Sequence, residues 1–585
     1  MKPAFRLTAS ATSALPRWLL FAICIVYAAF GLFGRDPWKN EDAAGFGVMW
    51  TMAGGTTHDW LLPNLVGKYI VADGPLGYWL GAASIRLLTP WVDASDASRV
   101  ATGILFCVAC AFVWYGTYLL GRRAEVQPFK YAFGGEPEPR DYGRTLADGA
   151  VLILLGCFGL AERGHETTPQ LMQFAGVAML VYGLVRAIDK PIQGSLWWGL
   201  AVGIVMLSSS PVLAGSLLVG TIAMLLIAPE TRSRWLLLAG LPVALAVALS
   251  WPLVALHRYP DDAVWFLNQW TRSSLAAFGG SPAISVLRYA AKNLPLFTWP
   301  AWPLALWAWV SWKGLRRAPH IAIPLSVIVP LLILVIVQSQ ETNRRFMLVL
   351  PALSMLATFA LPTLKRGAIN AIDWFAVLCF TILGTFVWLV WLAGMVGFPA
   401  PMARNLARLV PGFVPQFNVL TFVLAVAVTL GWFGLVQWRV ARHPKVLWRS
   451  VVLTSGGTTL MWVLLMTLWL PVVNYSRTYR DVAQQIAVHL PADYQCISPV
   501  RLGDAQIATF AYFGNMHFAF DENCDVILRQ DSQDYSAPSP QPDYVWRLVW
   551  EGRRAADRDE RFRLYVRADR PKPPLKPHHW RRRPR

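Results

Sequence analysis

Thirteen long apolar runs constrain the fold of this chain more than any other feature of its sequence. Each run has the length of about 17–25 residues that an α-helix needs to cross the hydrocarbon core of a bilayer. Only 15% of the 585 residues are charged, against about 25% in soluble domains, so the bilayer must solvate much of the surface. The sequence therefore predicts an all-α polytopic membrane protein with about thirteen transmembrane helices. The runs lie near 18–34, 99–120, 146–161, 170–186, 195–211, 212–228, 235–256, 295–312, 321–338, 346–363, 371–394, 418–437 and 450–472.

The loops between these runs carry lysine and arginine clusters on alternate sides, which orients the chain. The net charge of +19 follows from these clusters and not from any RNA-binding or zinc-finger pattern, so no nucleic-acid partner is expected. A fourteenth, shorter run at 75–88 would reverse every later helix if it crossed the membrane. Basic clusters stay inside only if that run is a surface helix. We therefore expect an inner-membrane protein with a cytoplasmic N-terminus and external loops that include 35–98 and 162–169.

The polar region after the last run has a different character. Residues 1–472 are interpreted as the membrane domain, 473–569 as a small periplasmic α/β domain, and 570–585 as a basic disordered tail. Alternation of Phe562, Leu564 and Val566 with charged or polar residues predicts a half-buried strand. Cys496 and Cys524 are the only cysteines in this region, and outside the cytoplasm they could form a disulfide.

The first external loop concentrates acids, aromatic residues and prolines at the membrane face. Glu41 and Asp42 open a helix-like stretch, and Asp59, Asp73 and Tyr78 follow. Adjacent carboxylates can divide acid–base work between them. The alternative is that they only complement the dipole of the helix they begin.

Residues 40–79 resemble the first external loop of the GT-C glycosyltransferases of family 39, the protein O-mannosyltransferase-like enzymes. The similarity is greatest with the bacterial lipid A 4-amino-4-deoxy-L-arabinose transferases. The family pattern is D-E, a helix, G-D-W-x-x-P and then E-K-P-P-x-x-Y-W. Glu41-Asp42 falls at the acid pair in reversed order, Asp59 begins the D-W-x-x-P match, and Asp73 and Tyr78 fall in the last motif. Gly74 stands where the family has a lysine.

The resemblance implies an inverting enzyme that moves a sugar from a polyprenyl-phosphate donor to lipid A, a glycan or a protein at the periplasmic face. Glu41 and Asp42 would then be catalytic, and external-side cations would hold the donor phosphate. The substrate-binding candidates are Asp59, Asp73, Tyr78, His165 and Glu166. The phosphate-binding candidates are Lys68, Arg272, Arg344 and Arg345.

Two of these groups have alternative interpretations. His165 and Glu166 lie in a polar break between apolar runs, where they could contact substrate, join Asp73 in binding a divalent cation, or simply belong to a capped interfacial loop. Arg344 and Arg345 break the positive-inside trend, which favours phosphate binding over contact with lipid headgroups.

No cofactor is required, and metal dependence stays open. The alternative function is a lipid or polysaccharide transporter or flippase, although the chain lacks internal repeats and has few charges within its runs.

Overall fold

The computed structural model describes residues 3–13, 15–231, 233–276, 283–338, 342–442, 446–520, 524–532, 545–557 and 559–568. Helices account for most of them. In chain order they are α1 (Arg17–Ala29), α2 (Glu41–Gly54), α3 (Thr57–Leu61), α4 (Leu76–Leu88), α5 (Ala94–Gly121), α6 (Pro139–Leu155), α7 (Phe158–Arg163), α8 (Gln170–Asp189), α9 (Pro191–Ser208), α10 (Pro211–Ile227), α11 (Leu241–Arg258), α12 (Pro260–Ala276), α13 (Ala283–Phe297), α14 (Ala301–Ser311), α15 (Pro319–Val337), α16 (Thr342–Thr358), α17 (Arg366–Val396), α18 (Ala400–Leu409), α19 (Val419–Arg442), α20 (Arg449–Thr467), α21 (Leu470–Arg477), α22 (Arg480–His489) and α23 (Asp504–Phe513).

The predicted class of polytopic α-helical membrane protein is confirmed. Within the described residues, nine helices are long and apolar enough to cross a membrane, and the bent pair α20–α21 makes a tenth. The other three predicted runs form the shorter helices α6, α10 and α14, of 17, 17 and 11 residues. Each of the thirteen predicted runs thus forms a helix or a bent helix pair, and among these α14 is the shortest.

Burial orders the helices from the centre of the bundle to its lipid-facing rim. The apolar windows of α16 and α8 are 94% and 83% buried, whereas those of α19 and α17 are 11% and 22% buried. Helix α8 contacts α5, α9 and α16, so its ends are held by the most tightly packed part of the fold. That position matters because the first turn of α8 carries part of the candidate site.

The first loop folds as a compact layer on one end of the bundle. It contains α2, α3, α4 and the two-residue strands β1 (Asn64–Leu65) and β2 (Lys68–Tyr69), which pair antiparallel. Val66 and Gly67 both have positive φ, 51° and 95°, as the tight hairpin turn requires.

Helix α4 has 13 residues and a length of about 20 Å, too short for a core of about 30 Å. The run at 75–88 is therefore a surface helix, as predicted.

The C-terminal region forms the expected small α/β unit. Strands β3 (Ile497–Val500), β4 (Val526–Ser532), β5 (Trp546–Gly552) and β6 (Glu560–Arg567) make one sheet in the order β3-β4-β6-β5. Strands β3 and β4 are parallel and the other pairs are antiparallel. Phe562 and Leu564 are fully buried. Cys496 and Cys524 form a disulfide. The predicted tail, 570–585, lies outside the described residues.

The C-terminal unit packs directly on the first loop. Phe46 and Tyr78 of the loop share one apolar cluster with Ile486, Phe510 and Leu528. Polar contacts surround this cluster, namely Lys68–Asp504 (2.6 Å), Arg480–Asp36 (2.5 Å) and Tyr512–Asp93 (2.8 Å). The two parts are consequently one packed layer over the end of the bundle.

Candidate active site

Asp42 is the most tightly held acid of the first loop. Its side chain is 1% exposed, and its two oxygens accept hydrogen bonds from Arg35 Nη1 (2.9 Å) and Nη2 (3.2 Å). The backbone N–H groups of Trp38 (2.9 Å) and Thr167 (2.7 Å) also donate to it. Burial alone would raise the pKa of Asp42, but Arg35, Arg99 and the two backbone donors together lower it. The ionised form of Asp42 is thus favoured, and both of its oxygens accept hydrogen bonds.

Arg35 extends this ion pair into a buried network. It donates to the backbone oxygens of Gly31 and His165 at 2.6 and 2.7 Å. Arg99, fully buried on α5, donates to the Arg35 backbone oxygen at 2.5 Å and pairs with Asp96 at 3.0 Å. The network joins the segment after α1 to α2, α5 and the 164–169 loop, so it fixes where the neighbouring Glu41 lies.

Glu41 and Asp73 converge on the first turn of α8, although they are far apart in sequence. Gln170 Nε2 donates to Glu41 Oε2 at 3.1 Å, and Gln173 Nε2 donates to Asp73 Oδ1 at 3.0 Å. Gln170 and Gln173 are three residues apart and therefore share one helix face. Glu41 is partly exposed whereas Asp73 is buried. Two carboxylates from distant parts of the first loop are thereby held by one helix face, and the more accessible one belongs to α2.

Glu166 adds a fourth acid to this region, after Asp42, Glu41 and Asp73. It pairs with Arg163 Nη1 at 2.8 Å, and its side chain is 13% exposed. Burial, with the charge of Asp42, raises the pKa of Glu166 to about 7 against the opposing effect of Arg163. Although burial opposes it, Glu166 and Glu41 raise the pKa of Arg163, so this cation lies within the field of both acids. Perturbed acids beside a cation are typical of functional sites.

The raised pKa of Glu166 makes the stability of the protein depend on pH. The pKa is about 7 in the folded protein and 4.5 for an unperturbed Glu. Between these values the folded state holds a proton that the unfolded state has released. The contribution of Glu166 to stability should therefore fall by about 2 kcal/mol as pH rises from 5 to 7.5. Glu166→Gln lacks this contribution. The melting temperature of the wild type relative to that variant should decline across this range, and a difference independent of pH would contradict the assignment.

His165 is a packing residue in this structure. It is 1% exposed, and its Nδ1 and Nε2 lie 2.6 and 2.7 Å from the backbone oxygens of Ala161 and Tyr27. Burial lowers the pKa of His165 to about 4, against the two backbone oxygens, which favour the protonated ring. Within the described residues, no three His, Cys, Asp or Glu side chains form a group that could hold a metal ion. The predicted metal candidates His165, Glu166 and Asp73 are thus not brought together as a ligand set.

Other predicted site residues occupy positions with clear structural partners. Asp59 accepts from the backbone N–H of Thr56 (2.7 Å) and caps α3, and it also accepts from Asn64 (2.9 Å). Lys68 is paired with Asp504 of the C-terminal unit. Tyr78 is 4% exposed within the shared apolar cluster. These contacts stabilise the fold of the first loop. The Lys68 ammonium lies where the first loop meets the C-terminal unit.

The predicted phosphate-binding arginines are spread over two helices. Arg272 is exposed on α12. Arg344 and Arg345 lie in the first turn of α16, where Arg345 is 7% exposed and the side chain of Arg344 lies outside the described part of the chain. A cation at a helix N-terminus is disfavoured by the helix dipole.

The backbone leaves no room for a side chain at position 74, where the resembling sequence pattern has a lysine. A Cβ added to Gly74 would lie 2.2 Å from the backbone oxygen of Leu207 and 2.7 Å from its carbonyl carbon. The Gly74 N–H also donates to the Ser209 oxygen at 3.0 Å. Any side chain at this position would push the Asp73 segment away from α9.

Gly74→Ala should therefore destabilise the protein by about 1–3 kcal/mol, as overpacking of a close backbone contact does. Gly54→Ala is the matched control because a Cβ there has no atom within 4 Å. Thermal unfolding of the two purified variants provides the measurement. Equal melting temperatures would contradict this prediction, because they would mean that the backbone of α9 moves aside without loss of stability.

Several residues of the site were not singled out from the sequence. Gln170 and Gln173 place the acids, and Arg35, Arg99 and Arg163 balance their charge. A pair of amides three residues apart at the start of an apolar helix was the available signal for the glutamines. The arginines had no comparable signal, because their partners come from distant parts of the chain.

Together, the bundle, the helical first loop and the C-terminal sheet define a GT-C type of membrane fold. The crystal structure of ArnT from Cupriavidus metallidurans bound to undecaprenyl phosphate matches with a TM-score of 0.66 at 13% identity, covering 94% of this chain and 97% of that one. The apo state of ArnT from Cupriavidus metallidurans matches with a TM-score of 0.62 at 16% identity and the same coverage. The sequence matches no protein-family model and no curated protein. The fold implied by the sequence resemblance is thereby confirmed.

Proposed function

We propose that this chain is a glycosyltransferase that moves a sugar from a polyprenyl-phosphate carrier to an acceptor of the cell envelope. The observation that carries the proposal is the convergence of Glu41 and Asp73 on Gln170 and Gln173, at the membrane end of an ArnT-like fold. The similar ArnT structure holds undecaprenyl phosphate, which supports a donor of that class here. Glu166, with its raised pKa, borders the same site.

In the proposed reaction, an acceptor oxygen attacks the anomeric carbon of the donor sugar as the bond from that carbon to the carrier phosphate breaks. The polyprenyl phosphate leaves with the electron pair, and the configuration inverts. Glu41, the partly exposed acid, orients the acceptor and takes its proton when the acceptor is a hydroxyl. Asp42 keeps Glu41 in place. Arg345 is proposed to balance the charge that grows on the phosphate.

We further propose that the site faces the periplasm. The C-terminal unit, which covers the first loop, contains the Cys496–Cys524 disulfide. Disulfides persist in the periplasm and are rare in the cytoplasm. The basic clusters of the opposite loops agree with this orientation in the inner membrane.

The direct test supplies the purified protein with a panel of polyprenyl-phosphate sugars and an acceptor extract of the cell envelope. Loss of the lipid-linked sugar with formation of a glycosylated acceptor is the expected result. No transfer from any donor of the panel would overturn the proposal. Movement of the intact lipid-linked sugar across proteoliposomes, without transfer, would favour a flippase instead.

A further inference from the structure

A groove on the outside of the bundle is separate from the acids of the candidate site. It lies between α1, α5 and α6 and has a volume of about 550 Å³. Its walls are mainly apolar, and three arginines, Arg17, Arg140 and Arg144, lie along it. The α1 wall is open to the surroundings, since Phe21 and Ile25 are 63% and 59% exposed. The groove thus combines an apolar channel with a cationic mouth.

The arginines lie at the end of the bundle opposite the first loop. Helix α5 begins beside the C-terminal unit, where Tyr512 contacts Asp93, and runs 28 residues to Gly121. Tyr118, near its far end, borders the groove. At 1.5 Å per residue, Asp93 and Tyr118 are separated by about 38 Å along the helix. A molecule in this groove is therefore bound in the other leaflet from the candidate active site.

Carboxylates of the protein balance the charge of these three arginines only partly. Arg144 pairs with Asp141 at 3.8 Å, but in the described part of the chain no carboxylate lies within ion-pair distance of Arg17 or Arg140. The Arg17 guanidinium stacks over the Trp114 ring at 4.4 Å, which positions the cation without neutralising it. Asp148 accepts hydrogen bonds from the Leu15 N–H (2.9 Å) and Trp114 Nε1 (2.8 Å), and its charge interacts with Arg17 and Arg144 without an ion-pair contact.

We infer that this groove binds one anionic phospholipid of the cytoplasmic leaflet. Its phosphate would lie between Arg17 and Arg140, where forked guanidinium groups match phosphate oxygens, and an acyl chain would occupy the channel beside Phe21 and Ile25. Bilayer phospholipid, not the polyprenyl carrier, is the occupant because the groove opens to the leaflet that the proposed transfer does not use. Basic pockets between transmembrane helices on the cytoplasmic side recognise such headgroups.

The test is native mass spectrometry of the full-length protein titrated in detergent with phosphatidylglycerol, phosphatidylcholine or undecaprenyl phosphate. We expect one tightly retained phosphatidylglycerol, bound at least tenfold more tightly than phosphatidylcholine. The triple variant Arg17→Gln, Arg140→Gln, Arg144→Gln should lose at least tenfold in affinity. The charge-matched control on the same side, Arg316→Gln, Lys365→Gln, Arg366→Gln, should bind as the wild type does.

A second variant blocks the groove in a different way, so the inference can still be tested if the triple variant misfolds. Ala111 lines the channel, and Ala111→Trp fills it without changing charge, so retention of phosphatidylglycerol should again fall. Unchanged affinity in both groove variants would overturn the inference, as would equal retention of phosphatidylcholine. Preferential retention of undecaprenyl phosphate by the wild type, lost in the triple variant, would show that the carrier occupies the groove and would overturn the assignment to phospholipid.

Discussion

Glu41→Gln is expected to lower the rate of sugar transfer at least 100-fold, the lower bound for losing a positioned acid–base group. The substitution keeps the size of the side chain and an oxygen that can accept from Gln170, so the melting temperature should change little. The measurement is the rate of loss of the lipid-linked sugar under saturating donor and acceptor.

Glu162→Gln provides the matched control for this prediction. Glu162 lies only a few residues from the site loop, but it is 50% exposed and pairs with Arg477 on the surface. Transfer should proceed at the wild-type rate in this variant. If Glu41→Gln kept transfer within threefold of the wild type, Glu41 would have no direct role. The proposed enzyme class would still stand on the wild-type activity.

Asp42→Asn is expected to destabilise the folded protein by about 3–5 kcal/mol, the usual cost of breaking a buried ion pair from one side. The substitution leaves the guanidinium groups of Arg35 and Arg99 buried without their shared carboxylate. It also places an amide where two backbone N–H groups and Arg35 now donate to oxygen. Thermal or denaturant unfolding in detergent provides the measurement.

The exposed pair of Glu162 and Arg477 again supplies the comparison, because a surface ion pair contributes at most about 1 kcal/mol. Glu162→Gln should therefore unfold close to the wild type. Equal stabilities of the Asp42 and Glu162 variants would contradict a buried network around Asp42. Glu41 and Asp42 are thus distinguished by two different measurements, the rate of sugar transfer for Glu41 and the stability of the folded protein for Asp42.

Hydropathy was sufficient to predict the class of fold, because long apolar runs have few alternatives to membrane helices. Loop charges also placed the run at 75–88 on the surface, where α4 is observed. The lengths of the helices were less predictable, because hydropathy does not register helix ends, and α6, α10 and α14 have 17, 17 and 11 residues. Alternation of apolar residues predicted β6, since its two faces have different surroundings.

The site was predicted less completely, because its geometry depends on pairings between distant segments. Glu41 and Asp42 are adjacent in sequence, and nothing in that adjacency indicates that one is enclosed by Arg35 and the other faces Gln170. Likewise, the absence of lysine at Gly74 looked like a missing functional group. Its physical cause, contact with the backbone of Leu207, becomes visible only when α9 lies beside the loop.

The packing of α2 against α23 has a consequence for the synthesis of the protein. The loop that carries Glu41 is made early, whereas the helix that supports it, α23, begins about 450 residues later. At about 5–20 residues per second, the loop waits roughly 20–90 s for its partner. During that interval Phe46 and Tyr78 have no apolar cover from the C-terminal unit. The candidate site is therefore completed only when the last domain has been translated and has packed on the first loop.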